Sequence, residues 1–270
     1  MIEYADMEQT RLAFDAAAPL YDTSYEGLPG IRRIRSITSA LYLRYFPRGG
    51  RLLEINCGTG NDAIFLARHG MSILATDLSP AMLEEARRKI ALSNFEHSVE
   101  IRHVPFDRLG ELRGMDFDGA YSNLGGLNCT DRLESVAKDL ARLVKPGGFL
   151  IATVMPSVCL WETAAFLGRF RWQDAFRRMG ENGALANLHG GKVRTFYYSP
   201  RLFRSLFAPH FEHVKTLGLA VFTPPPNFVR AYRKLGKSIR LLERLDDTFA
   251  GIPPFSSVGD HYAIVLRRRK

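Results

Sequence analysis

The chain has 270 residues, of which 46% are hydrophobic, and its formal net charge is +9. A hydrophobic fraction of this size in a chain of this length supports one large core and excludes a wholly disordered protein. No apolar run has the length that crosses a bilayer, and three scattered cysteines exclude a disulfide framework.

The basic residues suit anionic partners, but they are spread over several predicted helices and a terminal run, Arg267–Lys270. A solvated basic surface is the simpler interpretation, although nucleic acid stays open as a partner. The start of the chain, with Glu3 and Asp6, is acidic where a secretory signal is basic and then apolar. We therefore expect a cytoplasmic protein without a membrane span.

Apolar spacing in the first part of the chain predicts helices and then alternating strands and helices. Residues 1–50 contain two predicted helices within 7–46, separated by a turn at 27–30. The following segment, 51–155, predicts strands at 51–55, 72–76, 99–104, 117–122 and 149–155, and helices at 61–69, 80–92 and 131–144. This alternation is typical of a parallel sheet covered on both faces.

The regular alternation ends after residue 155. Helices are predicted at 158–179, 200–207 and 227–245, and strands at 193–198, 213–222 and 261–267. We expect one α/β domain over residues 1–270, with a doubly wound, mostly parallel sheet of seven strands and an antiparallel last strand. Residues 156–192 and 223–259 are then helical insertions.

A glycine-rich turn follows the first predicted strand. The run Leu52–Gly60 ends in Gly58-Thr59-Gly60, and Asp77 closes the next strand. Glycines let the backbone approach a ligand closely, and the N-terminus of the following helix points to the same place. An acid that closes the second strand is positioned to accept both hydroxyls of a ribose. We therefore expect a nucleoside-containing cofactor at the carboxyl ends of the strands.

Three further features bear on the identity of that cofactor. Glu54 precedes the turn, where it would repel a pyrophosphate and attract a cationic amino acid group. A Pro-Gly-Gly turn, 146–148, leads into the fifth strand, and the two closing strands can add an antiparallel edge. The spacing Gly58-x-Gly60-x-x-Ala63 also fits a dinucleotide fingerprint, so a nicotinamide-dependent oxidoreductase stays open as an alternative.

The motifs resemble those of the class I (Rossmann-like) S-adenosylmethionine-dependent methyltransferase superfamily. The resemblance covers residues 14–155 and is carried by Phe14–Asp22, Leu53–Gly60, Thr76–Leu83, Phe117-Asp118 and Leu143–Gly148. It implies a transferase that takes a methyl group from S-adenosylmethionine and releases S-adenosylhomocysteine, with residues 51–155 as its cofactor-binding core.

The resemblance also implies a role for individual positions. Ten residues would surround the cofactor: Tyr21 closing over it, Glu54, Asn56, Gly58 and Gly60 at the methionine portion, Asp77 at the ribose, Leu78, Phe106 and Asp107 at the adenine, and Asn123 under the sulfonium. One position departs from the family pattern, because the superfamily usually has glycine where this chain has Asn56. Asparagine tolerates left-handed backbone better than most residues, so the turn can form.

Methyl transfer needs in-line approach and exclusion of water, and it needs a base only where the acceptor loses a proton. The candidate bases are His189, Tyr197, Tyr198 and His261. His261 starts the last strand, at the end of the sheet where the cofactor is expected. Asp260 directly precedes it and would orient its imidazole. No cluster of His, Asp and Glu has metal-ligand spacing, and we expect no metal.

Both insertions leave the sheet on the cofactor side and are predicted to form a lid. We expect most of their aromatic residues to pack the lid onto the core, and the rest to line a pocket for a small apolar or aromatic acceptor. O-methylation is favoured over N- or C-methylation. The arginines of the lid, among them Arg169, Arg171, Arg177 and Arg178, would pair with an anionic group or form a wet helix face.

Two other functions stay open besides the oxidoreductase. The net charge suits an RNA methyltransferase, which predicts a contiguous basic face beside the pocket and binding that weakens with salt. A protein that keeps the fold only to bind cofactor or partners is the other alternative, and Asn56 is the motif-level indication for it.

Overall fold

The computed structural model describes residues 5–188 and 191–270. Seven strands form the main sheet: β1 (Arg51–Ile55), β2 (Ser72–Thr76), β3 (Val99–Arg102), β4 (Phe117–Ser122), β5 (Val144–Val154), β8 (Phe211–Leu219) and β9 (His261–Arg268). Their order is β3-β2-β1-β4-β5-β9-β8, and β9 runs antiparallel to both of its neighbours. The predicted fold class is thereby confirmed, and the strand order reverses between β1 and β4, the position where such sheets bind ligands.

Helices cover both faces of this sheet. They are α1 (Ala5–Tyr25), α2 (Pro29–Tyr45), α3 (Asn61–Arg68), α4 (Pro80–Leu92), α5 (Leu133–Leu143) and α8 (Pro200–Phe207). One buried cluster joins α5 and α8 to the sheet, and a second joins α2, α3 and α4 to the opposite face. Within the described ranges no helix combines the length and apolar character needed to cross a membrane.

The first insertion differs from its prediction. The single helix expected at 158–179 is two short helices, α6 (Leu160–Leu167) and α7 (Trp172–Ala175), followed by a 3-10 turn. The break is a helix C-cap, because Arg171 N–H donates to Phe166 O while Phe170 N–H donates to Leu167 O. Phe170 holds the left-handed position of this cap with φ +57°. Helical periodicity continues across the break, which is why the sequence did not reveal it.

Two smaller elements complete the insertions. β6 (Ala184–Leu188), which was not predicted, pairs antiparallel with β7 (Gly191–Thr195), and this ribbon lies against α1. The helix expected at 227–245 is divided into α9 (Val229–Leu235) and α10 (Ile239–Phe249) by a turn at Gly236, whose φ is +49°. Glycine takes such a conformation without steric cost, and here it ends the helix.

Candidate cofactor site

The turn after β1 has three residues with positive φ: Asn56 at 61°, Gly58 at 53° and Gly60 at 77°. The two glycines serve different purposes. A Cβ built on Gly58 would meet nothing within 4 Å, whereas a Cβ on Gly60 would lie 3.1 Å from the Cβ of Ala86 in α4. Gly58 therefore leaves open space for a ligand, and Gly60 lets α4 pack closely against the turn.

Asp77 organises this turn from the end of β2. Its Oδ2 accepts a hydrogen bond of 2.8 Å from the Gly58 N–H, and its Oδ1 accepts one of 2.9 Å from the Ser79 N–H. Burial raises the pKa of Asp77, and these backbone donors offset part of that increase. The carboxyl group is thus held at the mouth of the glycine turn by groups of the backbone.

A cavity opens above the turn. Its volume is about 540 Å³ when the solvent space of its open mouth is included. Its walls contain seven of the ten predicted cofactor residues, namely Tyr21, Asn56, Gly58, Asp77, Leu78, Phe106 and Asn123. Thr10 and Phe14 of α1 complete one side, and Leu124–Gly126 and Cys129 complete another. Burial raises the pKa of the Cys129 thiol to about 12, so this thiol is protonated at neutral pH.

Three predicted residues do not line this cavity. Gly60 packs on α4, and Asp107 is exposed beside a neighbouring depression. Glu54 lies behind the cavity wall on the α2 side of the sheet, where its Oε2 accepts a 3.1 Å hydrogen bond from Tyr121. Burial, followed by the charge of Asp62, raises the pKa of Glu54 well above its usual value. Direct contact of these three residues with a cofactor stays a prediction.

Helix α1 covers the cavity and is fastened at two carboxylates. Asp15 Oδ1 accepts hydrogen bonds from Ser79 Oγ and the Ala81 N–H at the start of α4. Asp22 accepts from Thr59 Oγ1 at 2.6 Å and pairs with Lys89 at 2.5 Å. The N-terminal motif is therefore a cover for the glycine turn. The sequence predicted a cover formed by the two insertions. Among their described residues none belongs to the cavity walls, and that lid stays a prediction.

A buried polar network behind the cavity was missed from the sequence. Arg35 of α2 pairs with Asp62 at 2.7 Å and with Glu26 at 2.7 Å. Asp62 Oδ2 in turn accepts a 2.8 Å hydrogen bond from the Asn123 amide, whose nitrogen also donates to Thr38 Oγ1. Arg35 is one of three arginines in its turn of α2, and nothing local marks it. The network fixes Asn123 in the cavity wall.

His261 lies buried at the first position of β9, as predicted, beside the end of β5. Its Nδ1 lies 2.9 Å from Asp260 Oδ2, but the two atoms do not form a hydrogen bond. Burial alone would raise the pKa of Asp260, but His261 and Arg178 together lower it well below the usual range. Asp260 therefore contacts both His261 and the Arg178 guanidinium, and its predicted role in orienting the imidazole stays a prediction.

The other candidate bases are placed differently. Tyr198 is buried, and its hydroxyl donates to the carbonyl oxygen of Thr130, which indicates a structural role. The ring of Tyr197 lies 5.1 Å from the Arg178 guanidinium. His189 lies outside the described residues.

A second buried cluster gathers residues that are far apart in the sequence. Glu162, Asp260 and Cys159 bring potential metal-ligand atoms within 4.8 Å of one another. The carboxylates are already paired, since Arg178 donates to Glu162 Oε2 at 2.8 Å and to Asp260 Oδ1 at 2.9 Å. A cation would have to displace this guanidinium, so the cluster is built as an ion-pair junction between the first insertion and β9.

Comparisons with known proteins agree with this geometry. Residues 52–148 match the family model of a methyltransferase domain. An S-adenosyl-L-methionine-dependent Diels-Alderase of Talaromyces variabilis is 33% identical over 103 residues, which are 38% of this chain and 35% of that protein. A malonyl-(acyl-carrier protein) O-methyltransferase of Enterobacter lignolyticus is 31% identical over 157 residues, which are 58% of this chain and 57% of that protein. The chain thus spans about a third of the length of the Diels-Alderase and somewhat over half of the length of the O-methyltransferase.

The crystal structure of the cyclase SpnF superposes with a TM-score of 0.64 at 18% identity, covering 98% of this chain and 96% of that chain, which is a likeness of fold. Residues 52–148 thus match a methyltransferase domain, and the sheet order and the glycine turn with Asp77 agree with the class I S-adenosylmethionine-dependent type. The sequence predicted this class and its cofactor. The match favours that cofactor over a nicotinamide, and the RNA methyltransferase stays a hypothesis.

Proposed function

We propose that the protein binds S-adenosylmethionine in the cavity beneath α1 and methylates a small apolar or aromatic acceptor, with oxygen favoured over nitrogen or carbon as the acceptor atom. The observation that carries the proposal is the cavity itself. Its walls contain Asp77 at the end of β2, Gly58 in the turn after β1 and Asn123 directly after β4. This cavity lies in a domain that matches methyltransferases.

The residues present fit this cofactor. The buried carboxylate of Asp77 is aimed at the cavity and can accept the ribose hydroxyls, while the open space at Gly58 admits the chain between ribose and amino acid. Leu78 and Phe106 supply apolar walls for a base. When bound, S-adenosylmethionine supplies a methyl group on a sulfonium, and displacement by the acceptor needs alignment more than it needs a catalytic side chain.

The chain's own contribution is to orient the reactants and exclude water. Phe14 and Tyr21 of α1 close one side of the cavity. His261 is the candidate proton acceptor. It starts β9 beside the end of β5, where Val154 pairs with Tyr262, and the next residue of that chain segment, Met155, lies against Gly125 of the cavity wall. A hydroxyl acceptor placed above Met155 could pass its proton to this imidazole, which Asp260 would stabilise.

Two measurements test the proposal. S-adenosylhomocysteine should raise the melting temperature of the pure protein, and NADH at the same concentration should leave it unchanged. Incubation with S-adenosylmethionine and a panel of phenols, carboxylic acids and amines should then release S-adenosylhomocysteine with one acceptor class. Stabilisation by NADH alone would overturn the proposal, and so would the absence of any shift with S-adenosylhomocysteine.

A second candidate is a cyclisation catalyst that keeps the cofactor without consuming it. Its basis is the relative named as an S-adenosyl-L-methionine-dependent Diels-Alderase, together with the fold likeness to SpnF. The two functions differ in one readout. A methyltransferase releases one S-adenosylhomocysteine for each product molecule, whereas a cyclase forms product with the amount of S-adenosylmethionine unchanged.

A further inference from the structure

The segment that runs from the end of α6 through α7 to the following 3-10 turn exposes large apolar side chains. Phe170 is 83% exposed and Trp172 is 60% exposed, and Phe176 and Met179 are each about half exposed. The three aromatic residues of this group therefore belong to the minority of lid aromatics that do not pack onto the core. We name these four residues the aromatic tip. Exposed apolar groups of this density usually mark an interaction surface.

The backbone holds the tip in place. Phe170 occupies the left-handed position of the α6 C-cap, where glycine is the ordinary residue, and every residue from 168 to 173 is exposed. Arg171 is fixed by Asp174 at 2.6 Å and lies 4.9 Å from the ring of Phe166. A bulky aromatic residue is thus kept at a strained and solvent-facing position by a well-formed turn.

Positive charge accompanies the tip. Arg169 and Arg171 alternate with Phe170 and Trp172 along the chain. The adjoining second insertion adds six exposed basic residues against one acidic residue within 229–244; the basic ones are Arg230, Arg233, Lys234, Lys237, Arg240 and Arg244. The two insertions are joined because Trp161 donates a 3.0 Å hydrogen bond to Phe222 O and packs edge-on against Phe228.

We propose that the aromatic tip docks on an anionic lipid bilayer, with Phe170 and Trp172 entering the headgroup region and the exposed Arg169 between α6 and α7 contacting lipid phosphates. Tryptophan and arginine are the residues that favour this interface, and clustered basic residues are attracted to anionic lipid. Basic residues alternate with the exposed aromatic ones in 169–172, a pattern that suits an anionic bilayer better than the apolar interface of a second copy. The proposal goes beyond methyl transfer and does not depend on it.

Co-sedimentation with lipid vesicles tests the proposal. The wild-type chain should bind vesicles of phosphatidylcholine with phosphatidylglycerol and bind pure phosphatidylcholine weakly. Binding should also fall when salt is raised to about 0.5 M, because exposed charges are then screened. The double variant Phe170→Ser with Trp172→Ser should lose binding by about tenfold or more. Leu92→Ser is the matched control, since Leu92 is 72% exposed at the end of α4 and should leave binding unchanged.

A second readout reports insertion directly. The chain has two tryptophans, so Trp161→Phe leaves Trp172 as the single fluorophore, and its emission should shift to shorter wavelength with anionic vesicles. Equal binding by the double variant and the wild type would overturn the proposal. So would no binding by the wild type, or a wild-type dimer in light scattering that the double variant abolishes. None of these outcomes bears on binding of S-adenosylhomocysteine, so failure here is distinguishable from failure of the proposed function.

Discussion

The carboxylate of Asp77 accepts the Gly58 N–H at 2.8 Å, so the acid that closes β2 holds the glycine turn that follows β1. The same carboxylate receives Ser79 N–H at the start of α4. One side chain therefore fixes the turn, the neighbouring helix start and the charge expected to receive a ribose.

Asp77→Asn should weaken S-adenosylhomocysteine binding about 10- to 100-fold, because hydrogen bonds to a charged group contribute about 1.5–3 kcal/mol. Calorimetric titration measures this loss. Ser199→Ala is the control, since it removes the cap hydroxyl of α8, which accepts the Leu202 N–H away from the cavity, and it should lower stability with little effect on affinity. Wild-type affinity in Asp77→Asn would show that the carboxylate does not hold the ribose.

Glu54→Gln should stabilise the chain without cofactor at pH 8. The folded-state pKa of Glu54 is raised by burial, so its contribution to stability is complete below its unfolded-state value of 4.5 and is lost as the pH rises through the folded-state pKa. Glutamine avoids the buried charge. We expect the melting temperature to rise by about 2–4 °C at pH 8, as about 1 kcal/mol gives in a domain of this size, and to rise less at pH 5. A lower melting temperature at pH 8 would contradict this account.

Arg35→Gln should destabilise the fold by about 2–4 kcal/mol, because it leaves the buried carboxylate of Asp62 without its cation. Arg88→Gln is the control. Arg88 pairs with Glu85 at the same 2.7 Å, but its side chain is 59% exposed, so the expected cost is under about 0.5 kcal/mol. Denaturant titration of both variants measures the difference. Equal losses would show that the Arg35 network adds nothing beyond a surface pair.

Asn56→Gly should leave S-adenosylhomocysteine affinity within about threefold of the wild type, because glycine takes the left-handed backbone at 61° freely. The Asn56 side chain is held by Ser122 Oγ at 3.3 Å. Asn56→Leu should distort the turn and weaken binding about tenfold or more, since a branched apolar residue disfavours positive φ. Isothermal titration of both variants decides the matter. A tenfold loss in Asn56→Gly would instead show that the asparagine amide contacts the cofactor.

Much of the fold and part of the candidate site could be predicted from the amino-acid sequence alone. The strands, the glycine turn and Asp77 depend on spacing between near neighbours, which the amino-acid order records directly. Parallel strands also bring their carboxyl ends to one edge, so Gly58, Asp77 and Asn123 were expected together, and the structure has all three in one cavity wall.

The ion pairs around the site could not be predicted, because they join residues that only folding brings together. Arg35 pairs with Asp62, which is 27 positions away in the sequence, and Arg178 pairs with Asp260, which is 82 positions away. No local pattern distinguishes these arginines from their exposed neighbours. The direction in which Phe170 and Trp172 face was equally hidden, because helical periodicity does not show where a cap interrupts it. Burial is a property of the packed chain, and it decided which charges are paired and which aromatic residues remain on the surface.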